Sequence, residues 1–388
     1  MRNGWHGLTS WVRRNDELEK LLKGNGLKVG RQNYTYVSAG EEYAGENIYG
    51  ILQAPRGDAT EAIVLIAAWK SIEGKHNSNG VSLALTLSRY FKRWSLWSKD
   101  IILIIPPDSY TGTQAWVDAY HDAHNPAQVA SLPIKSGALQ GAVAMDYATV
   151  GRFEKVHIVY DGTNGQLPNL DLINSINNIA KNQMGITTFL QKLPTHSNKY
   201  QDRLRTMLRG MINQGIGNAA GAHSSFIPYH VDAVTLQAFG QGWHEEVALG
   251  RLVEGSFRSL NNLLEHLHQS FFFYLLMDRD RFVSIGTYLP SAMLLAANFT
   301  IMAIFLWVKS GQSTAPPKSS PTAEKVSKGQ LNNAAGSDPS SVTGERDLAM
   351  PLGVVTTCFA LSAVPLSMFN HIPSSVSTCV PLRHRIED

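Results

Sequence analysis

The sequence predicts an α/β fold: a mainly parallel sheet flanked by helices, followed by transmembrane helices. Two kinds of pattern predict it. Continuous apolar runs such as residues 61–68 and 100–105 alternate with amphipathic helical stretches. Strands buried on both faces between covering helices read this way. Beyond them, residues 282–308 carry no charge over 27 positions, and a helix crosses a bilayer with ~20 apolar residues.

Taken in order, residues 8–23 have helical spacing with charged faces, and 46–53 and 61–68 read as strands. Residues 79–94 form a helical stretch in which Val81, Leu83, Leu85 and Leu87 are apolar. The strand 100–105 (DIILII) is ended by Pro106-Pro107, since proline cannot donate to a ladder. A short helix is expected over 113–121, strands over 138–146 and 155–160, helices over 170–182 and 200–215, and a strand over 233–239. A long helix over 243–276 is expected to end in the aromatic cluster Phe271, Phe272, Phe273 and Tyr274, close to a membrane interface. His266 and His268 on it lie two apart, so they do not share a helical face and form no metal pair.

The span 282–308 contains Pro290, tolerated in a membrane helix, with Tyr288 and Trp307 near its ends and Arg279, Arg281 and Lys309 flanking it. Residues 351–369 are also uncharged and read as a second span. Between them, residues 309–350 have no aromatic residue and cannot bury enough surface to fold alone. Residues 370–388 are a tail. Lys309, Lys318, Lys325 and Lys328 place the 309–350 loop in the cytoplasm under the positive-inside rule. Residues 1–281 are then a lumenal or extracellular domain, and Asn33-Tyr34-Thr35 becomes a usable glycosylation sequon. Asn298-Phe299-Thr300 falls inside the span and is disregarded. Residues 1–30 contain no apolar stretch that could carry the domain across.

Composition narrows the function. Lys and Arg number 34 against 31 Asp and Glu, a net charge of +3, without the concentrated basic footprint of a nucleic-acid binder. Two cysteines, Cys358 and Cys379, cannot build a disulfide framework or a cysteine-rich zinc module. No G-x-S-x-G elbow, P-loop or dinucleotide fingerprint occurs, and Ser224 and Ser225 directly after His223 are poor triad geometry.

In an α/β sheet, sites lie at the carboxyl ends of strands. That singles out residues 69–76, 107–112, 146–147 and 223–226. The metal-ligand types there are His76, Asp108, Asp146 and His223; Lys70 shares the region, but an ammonium cannot bind a metal. A catalytic zinc needs three protein ligands and an open position. The plainer reading makes these four ordinary loop residues. A second candidate is the stretch 161–171, where Asn164, Gln166, Pro168, Asn169 and Asp171 form either a partner-recognition loop or a well-capped strand-to-helix connection.

Several stretches carry a resemblance: NIYGILQAPR (47–56), WSKDIILIIPPDSYTGTQAWVDAYHD (97–122), NGQLPNLDLINS (164–175), and LNNLLEHLHQSFFFYLL with RFVSIGTYLP (260–290). On these the chain resembles the glycosylphosphatidylinositol (GPI) anchor attachment family, subunits of the GPI transamidase of the endoplasmic reticulum. The resemblance runs over about residues 1–310 and resumes at 350–366. It implies a lumenal domain similar to co-catalytic zinc aminopeptidases. Carried over, the peptidase H-x-D falls on Ala68 and Lys70, the bridging aspartate near His76, and the paired glutamates near 106–108. The last two ligands fall on Asp146 and on His223 in GAHSSF. The implication is a peptidase-like scaffold without catalytic residues, metal or cofactor.

The resemblance further implies a non-catalytic, multi-pass subunit of the endoplasmic reticulum membrane with its large domain in the lumen. Its partners are the other transamidase subunits, including a cysteine-protease-like one that cuts the proprotein. GPI lipid and proprotein meet it through the complex, and no nucleic acid is involved. The family has a membrane segment before the lumenal domain and more spans after the loop, so a truncated gene model is expected here. The rival expectation is a metal-dependent peptidase or amide-forming enzyme, with Asp146 and His223 joined by His76 or Asp108. A receptor ectodomain fits the topology but not the matched stretches.

Overall fold

A computed structural model describes residues 3–38, 41–149, 151–163, 165–193, 199–217, 219–262 and 272–310, with Gly353 and Thr356. The expected 309–350 loop from 311 onward, nearly all of the second span and the 370–388 tail lie outside the described residues. The chain divides into two units, Met1–Tyr288 and Leu289–Asp388.

The first unit opens with α1 (Asn3–Gly24), β1 (Lys28–Ser38), β2 (Glu41–Leu52), β3 (Glu61–Ile66), α2 (Ser78–Lys92) and β4 (Asp100–Ile105). It continues with α3 (Thr111–Tyr120), β5 (Ala138–Asp146), β6 (Phe153–Val159) and α4 (Leu170–Asn178), which runs into a π-helical turn at Ile179–Gln183. Then come β7 (Thr187–Phe189), α5 (Tyr200–Ile216), a 3-10 segment at Ala222–Tyr229, β8 (Ala233–His244) and α6 (Glu246–Asn261). A hairpin of β9 (Tyr274–Asp278) and β10 (Arg281–Ser284) leads into α7 (Ile285–Ser310).

Eight strands form one sheet in the order β1-β2-β4-β3-β5-β8-β6-β7. The central pairs β4/β3, β3/β5 and β5/β8 are parallel. The antiparallel pairs are β1/β2, β2/β4 and β8/β6, and β6/β7 is parallel again. The centre is a continuous apolar run because both faces are covered. Alternate residues divide the core. Ile63, Leu65, Ile101 and Leu103 join a cluster with Val81, Phe91 and Phe257 from α2 and α6. Ala62, Val64, Ile66, Ile102 and Ile104 join another with Trp116 of α3 and Phe226. On α2 the buried Val81, Ala84, Leu87, Ser88 and Phe91 follow a helical period.

β1 and β7 are not expected from the sequence. β1 (KVGRQNYTYVS) is too polar to stand out. Its register is set by glycines facing tyrosines across β2: a side chain at Gly30 would meet Tyr49, and one at Gly45 would meet Tyr34, each at 2.5 Å. The expected 243–276 helix is corrected. It ends at Asn261, residues 243–244 belong to β8, and Tyr274–Asp278 is a strand. An apolar aromatic run fits a strand as well as a helix. His266 and His268 lie outside the described residues. Residues 282–284 belong to β10, so the apolar helix starts at Ile285. Ile285–Lys309 is long and apolar enough to cross a membrane, and none of its most apolar window is buried within the structure.

Phe91 is fully buried, stacked on Phe257 at 5.4 Å and edge-on to Trp97 at 5.0 Å. Phe91→Ala is expected to remove about 3–5 kcal/mol of unfolding free energy, read as a lowered urea midpoint by tryptophan fluorescence.

Candidate functional site

The strand-end loops are organised by Asn77, which is 1 % exposed. Its amide nitrogen donates to the carbonyls of Ala68, after β3, and Met145 of β5, at 2.9 and 3.2 Å. Its side-chain oxygen accepts from the Tyr147 N–H at 2.8 Å. One side chain thus ties the carboxyl ends of two central strands to the start of α2. Residues 71–75 form a tight loop in which the Ser71 hydroxyl accepts from the Glu73 and Lys75 amides, each at 3.1 Å.

This loop, the end of β5 and the middle of β8 line an open cavity of about 500 Å³. Ser71, Glu73, Lys75, Asp146 and Gln237 supply its polar groups. Asp146 is 4 % exposed, and its Oδ2 accepts from the Ile72 N–H at 3.2 Å. Burial pushes its carboxyl up to about 6, against the pull of the Ile72 and Ala148 amides.

Behind it runs a chain of hydrogen bonds. The Lys192 N–H donates to His157 Nε2 at 3.0 Å, which leaves the ring proton on Nδ1. Nδ1 lies 3.1 Å from Gln237 Oε1, and Gln237 Nε2 donates to Glu73 Oε1 at 3.2 Å. Glu73 pairs with Lys75 at 2.8 Å. Burial lowers His157 to about 4, so its ring is neutral at pH 7.

His223 is buried in a separate group of contacts. Its Nδ1 is 2.7 Å from the Thr235 hydroxyl, and its Nε2 stands 3.1 Å from Asp161 Oδ2, at ion-pair distance without hydrogen-bond alignment. Asp161 also accepts from the Ala220 N–H at 2.6 Å and from the Ser224 hydroxyl. Burial alone raises the Asp161 carboxyl, but His223, Ser224 and Ala220 outweigh it and hold it low.

The remaining candidates are also engaged. Asp108 caps α3: its Oδ1 accepts from the Tyr110 and Thr111 amides at 2.8 and 2.6 Å, and its Oδ2 from the Thr111 and Tyr34 hydroxyls at 2.5 and 3.3 Å. His76 is exposed, with its ring edge-on to Trp69 at 5.6 Å. Lys70 is exposed. Tyr110 shows that the acidic candidates share a neighbourhood. Its phenol is pushed up by burial first, then by the charges of Asp161, Asp146 and Asp108.

The residues present do not fit a catalytic zinc. Among the described residues, no three His, Cys, Asp or Glu side chains are grouped closely enough to hold a metal ion. Ala68 and Lys70 offer no ligand, and the ligand-type side chains Asp146, His223 and Asp108 are spent on amides, hydroxyls and each other's neighbours.

In the second candidate, Asn169 caps α4, its side chain accepting from the Asp171 N–H at 2.9 Å. Gln166 and Pro168 line a cavity of about 250 Å³ that includes Phe272 and Asp232. Asn164 lies outside the described residues. Asn33 is exposed on β1.

A family model described as "Gaa1-like, GPI transamidase component" matches residues 44–386. The chain belongs to this family. It is 40% identical over 316 residues to the GPI transamidase component gaa1 of Schizosaccharomyces pombe, covering 79% of this chain and 54% of that protein. It is 40% identical over 276 residues to GAA1 of Saccharomyces cerevisiae, covering 70% and 43%. The chain therefore spans about half the length of the curated relatives it matches. Solved structures with a likeness include the LapA aminopeptidase of Legionella pneumophila, with TM-score 0.42, 12% identity, and 67% of this chain and 64% of that chain covered. The glutaminyl cyclase of Fimbriiglobus ruber has TM-score 0.40 and 13% identity, covering 64% and 85%.

A buried carboxyl whose native value is raised favours the fold at low pH. For Asp146 that contribution is complete below about pH 4 and lost as pH rises through about 6. Asp146→Asn is therefore expected to gain about 1–3 kcal/mol relative to the parent at pH 7.5 over pH 4, read from paired urea melts. An equal difference at both pH values contradicts this.

Proposed function

We propose that this chain acts as a non-catalytic membrane subunit of the GPI transamidase. It helps assemble the complex and present the GPI anchor for attachment to the carboxyl terminus of proproteins in the endoplasmic reticulum. The observation that carries the reading is the consumption of the peptidase-position ligands by the fold itself: Asp146 by the Ile72 amide, His223 by Thr235 and Asp161. A scaffold needs those loops fixed, whereas a hydrolase needs its ligands free to converge on an ion. Family membership over 44–386 supports the same reading.

In this reading the α/β domain, residues 1–281, faces the lumen, where the exposed Asn33 is open to glycosylation. α7 crosses the membrane, 309–350 is a cytoplasmic loop, 351–369 crosses back and 370–388 is a tail. The partners are the other transamidase subunits, among them a cysteine-protease-like one that carries the chemistry. In the 161–171 stretch the half-buried Gln166 and the exposed Asp171 are open to a partner, whereas Pro168 and Asn169 are buried.

Two linked measurements test this. The tagged chain, expressed in cells lacking their own copy, should co-purify with a cysteine-protease-like subunit. The Asp146→Asn chain should support surface display of a GPI-anchored reporter within about two-fold of the parent, since the carboxylate serves no transition state. A folded Asp146→Asn complex that fails to anchor the reporter sinks the non-catalytic reading.

A further inference from the structure

α5 is a surface helix with an unusual distribution of side chains. Over its 17 residues only Thr206 is buried. Leu208, Met211, Ile212 and Ile216 are 45, 45, 58 and 74 % exposed. Their i, i+3, i+4, i+8 spacing puts them on one stripe pointing away from the protein. Two exposed arginines adjoin that stripe: Arg205, on the same face one turn before Leu208 and 4.0 Å from Asp202, and Arg209 at its edge, which also lines a cavity with His157. Soluble surfaces seldom leave such a row of large apolar side chains in water.

The place of α5 in the fold says what covers it. α5 packs against β9. Its carboxyl-terminal turn reaches the 162–167 loop, where Gln214 lies 3.2 Å from the position a side chain at Gly162 would take. Leu167 of that loop donates its N–H to the Phe272 carbonyl at 2.9 Å, and Ile285 donates to the Phe273 carbonyl at 3.1 Å. The strand β10 ends at Ser284 and the apolar α7 starts at Ile285, with no residue between. With α7 crossing the membrane, as proposed above, the end of the hairpin that carries Phe272 and Phe273 lies next to the membrane surface by chain connectivity. Both phenylalanines are exposed, as is Phe282. The carboxyl-terminal half of α5 sits at this same end.

We infer that α5 lies in the bilayer interface, with Leu208, Met211, Ile212 and Ile216 inserted at the headgroup boundary. Arg205 and Arg209 then face lipid phosphates beside the stripe, as in interfacial amphipathic helices. The partner is a lipid surface, and anionic lipid strengthens the contact through the two guanidinium groups. The α/β domain is held to the membrane at two places, by α7 and by the flank of α5.

The test uses the full chain with Cys358→Ser and Cys379→Ser, reconstituted in vesicles of phosphatidylcholine and phosphatidylserine. An environment-sensitive NBD dye is attached at Ile212→Cys or Ile216→Cys, both exposed positions that tolerate the change. Lys20→Cys on α1, which packs on β1 and β2 at the far edge of the sheet from β7, is the water reference. Blue-shifted emission at 212 and 216, quenched about two-fold by doxyl-labelled lipid, is the expected result, with no quenching at 20. Water-like emission at 212 and 216, quenched by iodide as at position 20, overturns the inference. So does shielding from iodide that arises only when partner subunits co-purify and that doxyl lipid does not affect, because the face then belongs to a protein.

Discussion

The carboxyl ends of β3 and β5 are held together by the side chain of Asn77. It uses three of its four hydrogen-bonding capacities on backbone groups of the two strands. Everything at the candidate site hangs from this lock. It fixes where the chain leaves β3, and so where Ser71, Ile72 and Glu73 stand against Asp146. A buried amide with these partners is favourable, whereas its loss would strand three backbone groups at the bottom of a cavity. The lock also sets the entry to α2, whose Phe91 joins the core with α6.

Burial forces each polar group near the strand ends to find a partner. The protein meets most of that demand internally, with His223 Nε2, Trp69 Nε1 and Thr149 Oγ1 left without a hydrogen bond among the described residues. Asp146 is held by loop amides, Asp161 by His223, Ser224 and the Ala220 amide, and Asp108 by the first turn of α3. His157, Gln237 and Glu73 complete a hydrogen-bonded row across β6, β8 and the 71–75 loop. Hydrogen-bonded networks of this kind stiffen what they join. The result is a recess at the carboxyl ends of the central strands, lined by both polar and apolar groups.

The strongest strands were legible because burial on both faces leaves an unbroken apolar run, as in residues 61–66 and 100–105. β1 was hidden because its apolar positions are interrupted by Gly30, Gln32 and Asn33, and its register depends on contacts with β2 that no local pattern encodes. The stretch Tyr274–Asp278 reads as the end of a helix because period alone cannot separate a short apolar strand from a helix. At the site, Asp146 and His223 were found as residue types. Asp161, which stands beside His223, and the neighbouring buried polar residues Asn77, Gln237 and His157 are not singled out by the sequence. A signal existed for two of them. His157 and Gln237 interrupt otherwise apolar strands, and such interruptions on neighbouring strands point to a buried polar pair.

The α/β domain thus closes its strand-end recess with its own side chains, and its last hairpin runs directly into an apolar helix. Its central claim is that the ligand-type residues serve the fold and not an ion. Zinc per chain, measured by elemental mass spectrometry on the folded full chain after zinc loading and removal of loosely held metal, addresses this most directly. The expected result is no stoichiometric zinc in either the parent or Asp146→Ala. About one equivalent in the parent that disappears in a folded Asp146→Ala chain would contradict it, because a catalytic zinc must have recruited the carboxylate.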